Sequence, residues 1–477
     1  MPLSKKAYAA STLFAFLFAG FAYLFLLGTP SALAIPYFSR KYGTSCTTCH
    51  NDFPELNDFG WAFKKNGLKF PKDDETFVKE PPVLLGAKAQ REVFPKAVFP
   101  GEIPGTIPVA LRYSGFFNYN NKQPLALGFQ PRTDLFSPNT FTAITAGSFG
   151  QRLSWWIDDD ISAGGSGADG GLGDGYLKAN DIGHYLGLPK DALNVRFGQF
   201  ELDLPFTQAR TINLSDYDIY DQTSVAGVLG TTNNPFTLGV PQRGFEFGGY
   251  PNDGNFNWSV ALVNGSNDST PANNSKSVYA HVFQQFNLER DRAARREVQA
   301  AGATGPHDHT SLRIGAFYGY GRNVLNTDRQ LFPGFADINE PYYRVGGYFR
   351  FRFRSDFEMY GLGMFGHDSN LVPDPATFTL DHGPAVNFSG GFVQTQYWLY
   401  PWAIALMRYD VVNSPADFFN GASQRFSRNR FSPGLQILIR ANIKFGLEYQ
   451  YRWRKPVPGT NLLFRPSGFV AGLDFVM

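Results

Sequence analysis

The sequence predicts a mainly β protein: a transmembrane antiparallel β-barrel of about sixteen strands, preceded by a small N-terminal α-helical module. Three observations predict this fold. Apolar and polar residues alternate over segments of about ten residues, as in strands with one face in lipid. Aromatic residues make up 16% of the 477 residues, and 50 residues are glycine, which favours strands and turns. The mean hydropathy is slightly negative, which excludes a bundle of membrane-spanning helices.

Residues 1–34 are predicted to be a secretory signal peptide. Lys5 and Lys6 supply its positive end, an apolar run follows from residue 12 to 27, and Ala32-Leu33-Ala34 is a small-residue cleavage site. An uncleaved inner-membrane anchor is the alternative. Without this leader the chain has 41 basic and 41 acidic residues, so no nucleic-acid partner is indicated.

The motif Cys46-Thr47-Thr48-Cys49-His50 predicts covalent attachment of one c-type haem. In this spacing Cys46 and Cys49 form the thioethers, and His50 is close enough to bind the iron as the proximal ligand. The chain has 2 cysteines in total, so the motif uses both. Two alternatives are weaker. A thioredoxin-like pair would need a preceding strand and a helix opening at the first cysteine, and a zinc knuckle would need a second pair of ligands.

The distal haem ligand is left open by the sequence. Neither methionine nor histidine occurs between His50 and His184. Three distant methionines, a lysine, the new N-terminal amine or no ligand at all are the possibilities. The methionines are Met359, Met364 and Met407.

Behind the motif, a short helix is predicted over residues 54–63. Leu56, Phe59 and Phe63 recur at helical spacing on one face, which could lie against a porphyrin or in an ordinary core. We therefore predict a haem module at 35–85, a proline-rich linker at 86–106 and a barrel at 107–477.

Residues 35–67 resemble the opening of the fused cytochrome–porin family of outer-membrane iron oxidases. The similar positions are Pro36, Phe38, Arg40, Gly43, the haem motif, Pro54, Leu56, Phe59, Gly60, Phe63 and Gly67. Beyond these residues the likeness is one of architecture. The resemblance implies an outer-membrane iron(II) oxidoreductase, with Fe(II) as the electron donor and a periplasmic cytochrome or copper protein as the acceptor.

Alternation is clearest in two segments of the predicted barrel. In 443–453 the aromatic and aliphatic residues fall on one face, opposite Lys444 and Glu448. In 343–354 the apolar residues oppose four arginines, Arg344, Arg350, Arg352 and Arg354. Comparable segments are 109–119, 141–151, 153–163, 175–182, 193–204, 243–250, 256–263, 276–286, 311–322, 342–353, 357–367, 391–399, 402–412, 432–439, 443–453 and 466–475.

The connections between these segments support an outer-membrane barrel in contact with lipid. Segments after odd strands, such as 205–242, are long and are predicted to be outer loops, whereas most segments after even strands are short turns. Two inner connections break the pattern, 183–192 and 287–310, and the second is predicted to be a charged helical insert. A soluble β-sandwich or propeller is the alternative fold.

Three further groups of residues are candidate sites. Asp158, Asp159 and Asp160 are predicted at the outer rim, where carboxylates could attract Fe(II). The group His307-Asp308-His309 could bind a metal, although a solvated loop is the simpler interpretation. Lumen bases at 344, 350, 352 and 444 are expected to pair with acids such as Glu358 and Glu448, or with haem propionates.

The first functional hypothesis is electron transfer at the outer membrane, with oxidation of extracellular Fe(II) and delivery of electrons to a periplasmic carrier. The iron assignment follows from the resemblance alone. The apolar band of such a wall is roughly 25 Å tall, so a single haem should sit in or at the mouth of the barrel. A second hypothesis is a transport porin whose haem module is a plug or sensor. A third is outward electron transfer to an external acceptor.

Overall fold

A computed structural model describes most of the chain after the predicted leader. The described residues are 37–70, 74–85, 92–95, 102–121, 132–150, 152–163, 170–207, 211–217, 219–220, 236, 238–252, 254–267, 274–288, 310–324, 339–354, 356–369, 371–374, 379–382, 385–414, 418–419, 422–423, 429–453 and 466–477. The predicted leader, residues 289–309 of the insert predicted at 287–310, and His307-Asp308-His309 lie outside them.

Sixteen antiparallel strands form a closed barrel. In chain order, β1 to β16 are Val109–Asn120, Thr133–Phe149, Leu153–Ala163, Gly171–Ala179, Asn194–Phe200, Gln242–Gly249, Phe256–Val263, Ser277–Asn287, Ser311–Val324, Asn339–Phe353, Phe357–Asp368, Val386–Tyr400, Ala403–Asn413, Arg430–Arg440, Ile443–Arg452 and Gly468–Val476. Each strand pairs with its chain neighbours, and β16 closes on β1 through Gly468↔Asn120 to Val476↔Arg112. All sixteen predicted segments are confirmed as strands.

The predicted alternation separates the lumen from the outer wall. On β15, Lys444 and Glu448 are buried, while Leu447, Tyr449 and Tyr451 are exposed on the outer wall. A closed cylinder with an apolar exterior, short turns at one end and long connections at the other is an outer-membrane barrel. We call the short-turn end the inner mouth. No helix among the described residues is long and apolar enough to cross a membrane.

Short elements precede the barrel and decorate its connections. The helices are α1 at Tyr37–Tyr42, α2 at Asp58–Lys65 and α3 at Asp74–Phe77, with 3-10 turns at Cys46–Thr48 and Ile182–Leu186. Two-stranded pairs join His50–Asp52 to Glu55–Leu56, Val83–Leu84 to Glu102–Ile103, Leu371–Asp374 to Thr379–His382, and Phe418–Phe419 to Ala422–Ser423. The last residues of the predicted haem module, Val83 and Leu84, are therefore paired with residues near the end of the predicted linker.

The helix predicted over 54–63 begins later than its apolar spacing suggested. Its first residue is Asp58, because Asn57 is the N-cap and its side chain accepts a hydrogen bond from Gly60 N at 2.8 Å. Glu55 and Leu56 instead pair with the strand that begins at His50.

The connection between β5 and β6 lies at the long-loop end, as predicted, but it folds into the barrel instead of standing in solvent as an outer loop. Its described residues, 201–207, 211–217, 219–220, 236 and 238–241, are called the lumen loop because they pack inside the barrel. Phe206 and Tyr217 are almost fully buried and belong to one cluster with wall residues such as Tyr360 and Phe392. Burying this apolar surface holds the segment within the lumen rather than in solvent.

Candidate functional site

The two cysteines lie on a single tight turn that is fastened to helix α2. The turn spans Cys46–Thr48, with Cys49 as its C-cap. The side-chain amide of Asn57 donates to Thr47 O at 3.3 Å and to Thr48 O at 3.1 Å. Both cysteines are free thiols that are partly accessible. The turn therefore presents two thiols side by side in a fixed orientation.

His50 follows the turn and is held through one ring nitrogen. Its Nδ1 lies 3.2 Å from Pro54 O, and burial lowers the pKa of the imidazole to about 4. A neutral ring that donates from Nδ1 keeps its lone pair on Nε2, which is the form that binds a metal. His50 is thus prepared as a metal ligand.

The surroundings of the thiols differ from those of a redox-active dithiol. Burial raises the pKa of Cys46, and it raises that of Cys49 to about 12, whereas a nucleophilic cysteine has a lowered pKa. A helix, α1, precedes the motif where a thioredoxin-like site would have a strand. Among the described residues, no cluster of three or more histidine, cysteine or acidic side chains could hold a metal ion. The paired thiols and the neutral imidazole fit a c-type haem best.

The apolar face of α2 contributes to a core shared with the barrel wall. Tyr42, Phe63 and Leu68 are buried together with Ala146 of β2, and Trp156 of β3 packs against them. Phe63 is therefore an ordinary core residue. The module rests directly on the inside of β2 and β3.

Helix α2 is anchored to one side of the lumen through Lys65. Its Nζ donates to Asn257 Oδ1 at 3.0 Å and forms an ion pair with Asp203 Oδ1 at 3.4 Å. Lys178 of β4 donates to Lys65 O at 2.8 Å. These contacts join the module to β4, β7 and the lumen loop.

The opposite side of the module is anchored to other strands. Lys444 of β15 donates to Phe53 O at 2.7 Å, and Gln396 of β12 donates to Glu55 Oε2 at 3.1 Å. Arg352 of β10 forms an ion pair with Asp58. Because these strands lie around the whole ring, the module fills the inner mouth as a plug. We use "the plug" for residues 37–70.

The predicted lumen bases pair with acids of the wall. Arg350 Nε lies 2.7 Å from Glu358 Oε1, and Arg352 Nε lies 3.3 Å from Glu358 Oε2. Arg344 Nη2 is 2.9 Å from Asp368 Oδ2. Structural pairing of these three bases is therefore confirmed, and Lys444 Nζ lies 4.0 Å from Asp474 Oδ2. Arg354, at the turn after β10, is exposed.

Glu448 serves the lumen loop instead of a lumen base. Its carboxylate accepts from Leu214 N and from Ser215 Oγ, both at 2.6 Å. Arg408 donates to Ser215 O at 2.9 Å from the other side. These contacts fix the loop across the lumen above the plug.

The three methionines considered as distal ligands lie away from the motif. Met407 is 55% exposed on the outer wall, and Met359 alternates onto the same wall because Glu358 and Tyr360 face inward. Met364 is buried against the lumen loop. It is about 20 Å along β11, at the usual rise per residue, from Glu358, which lies beside the plug. This placement speaks against all three as ligands.

The predicted acidic triplet is divided by the wall. Asp158 and Asp160 face the lumen, where Asp158 Oδ1 accepts from Trp156 Nε1 at 2.6 Å and Asp160 accepts from Thr142. Asp159 is exposed on the outer face. The three carboxylates therefore do not form one cluster that faces Fe(II).

Two buried carboxyl groups lie in the plug close to His50. Burial raises the pKa of Asp52 to about 7, and burial together with Glu358 raises that of Glu55. Asp52 is 1% exposed, and neither of its carboxylate oxygens has a hydrogen-bond partner in the described part of the chain. The motif thus lies beside groups that are easily protonated.

Sequence reasoning missed a polar network that joins the plug, the lumen loop and the wall. Asp203 Oδ2 is 2.9 Å from His281 Nδ1, and His281 Nε2 is 2.8 Å from Tyr348 OH. Asp203 also binds Lys65 of the plug. The available signal was the apolar residues Phe206, Ile212 and Leu214 within 205–242, which are unusual for a solvated loop.

The topology defines a porin-like outer-membrane barrel whose inner mouth holds a plug. No family model matches the chain, and no curated protein matches it. Solved structures with a similar fold include an anion-selective porin from Comamonas acidovorans, with 11% identity over 77% of this chain and 98% of that one and a TM-score of 0.48. The outer-membrane channel DcaP of Acinetobacter baumannii is 12% identical over 77% and 96%, with a TM-score of 0.44. Sequence identities and TM-scores this low do not indicate an activity. The fold assignment follows from the strand pairing itself.

Proposed function

We propose that this protein transfers electrons at the outer membrane, and that its plug carries one covalently bound c-type haem. The observation that carries the proposal is the position of the motif: Cys46, Cys49 and His50 belong to a plug that is anchored around the inner mouth. Cys46 and Cys49 would hold the group by thioethers, and His50 would bind its iron. A bound haem supplies a one-electron couple.

The filled lumen favours passage of electrons over passage of solutes. Phe206 of the lumen loop stacks on Tyr360 with ring centroids 4.5 Å apart, and Tyr217 stacks on Phe392 at 3.9 Å. Gln396 donates to both Tyr360 OH and Glu55, so these rings are in contact with the plug. Packed side chains thus extend from the plug into the middle of the barrel.

We further propose Fe(II) outside the cell as the electron donor and a periplasmic cytochrome or copper protein as the acceptor. Each Fe(II) would lose one electron to become Fe(III), and the acceptor would gain it. The iron assignment rests on the resemblance of residues 35–67 to cytochrome–porin iron oxidases. The inner mouth opens to the periplasm, which suits a soluble acceptor.

The test uses the full-length protein purified from the outer membrane. We expect a denaturing gel to retain haem on the wild type and on Thr47→Ala/Thr48→Ala, but not on Cys46→Ala/Cys49→Ala. A wild type that carries no haem on the gel would reject covalent attachment, and a Cys46→Ala/Cys49→Ala variant that retains haem would reject these two cysteines as its attachment site. On mixing with Fe(II), the visible spectrum should change to the reduced form. Reduction of the haem by dithionite but not by Fe(II) would reject Fe(II) as the electron donor and leave the haem assignment intact.

A transport channel with a haem plug is the second candidate. The observation that favours it is the closed sixteen-stranded cylinder with charged lumen residues, among them Arg344, Asp368, Arg408 and Asp410. This function predicts solute flux that depends on the redox state of the plug. Swelling of liposomes that contain oxidised or reduced protein would detect such flux.

A further inference from the structure

A groove of about 460 Å³ lies on the outer wall where β5, β6 and β7 approach the long-loop end. Phe197, Phe245 and Leu262 line its apolar part. They are 55%, 45% and 46% exposed, and the rings of Phe197 and Phe245 are 4.6 Å apart. These side chains point away from the lumen, so the groove opens to lipid.

Two basic residues, Arg243 and Lys276, line the same groove. Arg243 Nε donates to Gln199 Oε1 at 2.8 Å, which fixes the guanidinium group against the wall. Both basic side chains are exposed, and neither forms an ion pair within the described part of the chain. Among the described residues, the positive charge of the groove is therefore not paired with an acidic side chain.

The shape of the groove depends on two glycines that face each other across β5 and β6. Gly198 and Gly244 are direct partners in the register. A Cβ on Gly244 would overlap Leu262 O, and one on Gly198 would overlap Gly175 O. The backbone of β5 approaches β4, and the backbone of β6 approaches β7, this closely only because Gly198 and Gly244 lack side chains. The groove is thus built into the wall.

The order of the lining residues matches the order of groups in a membrane lipid. Phe245 pairs with Leu262 within the wall, and Arg243 lies two residues closer to the long-loop end, about 7 Å further along β6. Lys276 immediately precedes β8 at the same end. From the membrane interior toward the surface, the groove therefore changes from apolar to cationic.

We propose that this groove binds a phosphorylated lipid of the outer leaflet. An acyl chain lies on Phe197, Phe245 and Leu262, and the phosphate binds Arg243 and Lys276. Basic residues near a membrane surface bind anionic headgroups, and the apolar half distinguishes a lipid from free phosphate. The site does not depend on the haem assignment.

Native mass spectrometry of the full-length protein in detergent tests the proposal. The probes are a diacylglycerol phosphate, the same diacylglycerol without phosphate, and inorganic phosphate. We expect retained adducts with the first probe alone. In Arg243→Ser/Lys276→Ser the affinity for the diacylglycerol phosphate should fall about tenfold or more, because each basic residue near the membrane surface attracts the anionic headgroup.

The matched control is Lys79→Ser/Arg440→Ser, which removes the same charge from exposed positions outside the groove and should bind like the wild type. Lys276→Glu, in a loop, should lower the affinity without altering any strand. Equal binding by the groove variants and the control, equal adducts with unphosphorylated diacylglycerol, or equal adducts with inorganic phosphate would each overturn the proposal.

Discussion

Asp52 lies in an environment that differs strongly from that of a normal, solvated carboxyl group. It lies two positions after His50 and is 1% exposed, and burial raises its pKa to about 7. A carboxyl whose pKa is higher in the folded state binds its proton more tightly there than in an opened state. The stability that this proton provides is complete near pH 4 and is lost progressively as the pH rises toward 7.

We therefore predict that Asp52→Asn stabilises the plug at pH 8 and has little effect at pH 4. Between the ordinary aspartate pKa of 3.8 and the raised value of about 7, the wild-type plug should lose about 1 kcal/mol of stability per pH unit. The variant should show no such loss. Hydrogen exchange of residues 46–65, corrected for the intrinsic pH dependence, measures the difference. Glu75→Gln, at an exposed acid near the plug, should keep the wild-type profile. Parallel profiles for Asp52→Asn and the wild type would contradict the role of burial.

At the scale of elements, the packing of α2 on the motif turn determines where the thiols lie. Gly60 N is held by the Asn57 side chain, and a Cβ on Gly60 would overlap the carbonyl oxygen of Cys49. In an isolated helix, replacement of glycine by alanine stabilises by about 1 kcal/mol. Here the added methyl group separates the helix from the turn, so the sign should reverse.

Gly60→Ala is thus expected to open residues 46–65 more often than the wild type does. Ala62→Gly, in the same helix, should cost only the helix propensity, about 1 kcal/mol. Hydrogen exchange of the full-length protein compares the two variants, with the barrel strands as an internal reference. Slower exchange in Gly60→Ala than in the wild type would show that the turn can move away without cost.

The sequence predicted the wall well because alternation is a local signal. On β15, Lys444 and Glu448 had to face one way and Tyr449 the other, whatever their partners were. The predicted start of α2 is wrong because the prediction followed the spacing of the apolar residues, whereas the helix begins after its N-cap, Asn57. Local patterns determine which face a side chain takes, but not which distant residue it meets.

The interior could not be predicted because its contacts join distant parts of the chain. Lys444 donates to Phe53 O, and Glu448 accepts from Leu214 N. Neither pair leaves a trace in local composition. The lumen loop carried a signal in its apolar residues, since Phe206, Ile212 and Leu214 would have been exposed in an outer loop.

At the scale of the whole molecule, two layers obstruct the barrel. The plug occupies the inner mouth through anchors such as Lys65 and Lys444, and the lumen loop crosses the middle through Glu448 and Arg408. When the side chain of Lys65 or Lys444 is removed, the acidic residue beside it still has another partner. Without Lys65, Asp203 keeps His281 as a partner. Without Lys444, whose Nζ lies 4.0 Å from Asp474, Asp474 keeps Arg112 at 2.8 Å. Single losses should therefore be tolerated, whereas combined losses should free the plug.

We accordingly predict that the wild type in planar bilayers conducts far less than an open sixteen-stranded pore. Lys65→Met/Lys444→Met should open intermittently, with small currents because the lumen loop remains in place. Lys79→Met/Arg440→Met removes two charges that contact neither the plug anchors nor the loop, and it should stay as closed as the wild type. A steady, large conductance of the wild type would mean that solutes pass the plug, and the transport function would then replace electron transfer as the better account of this barrel.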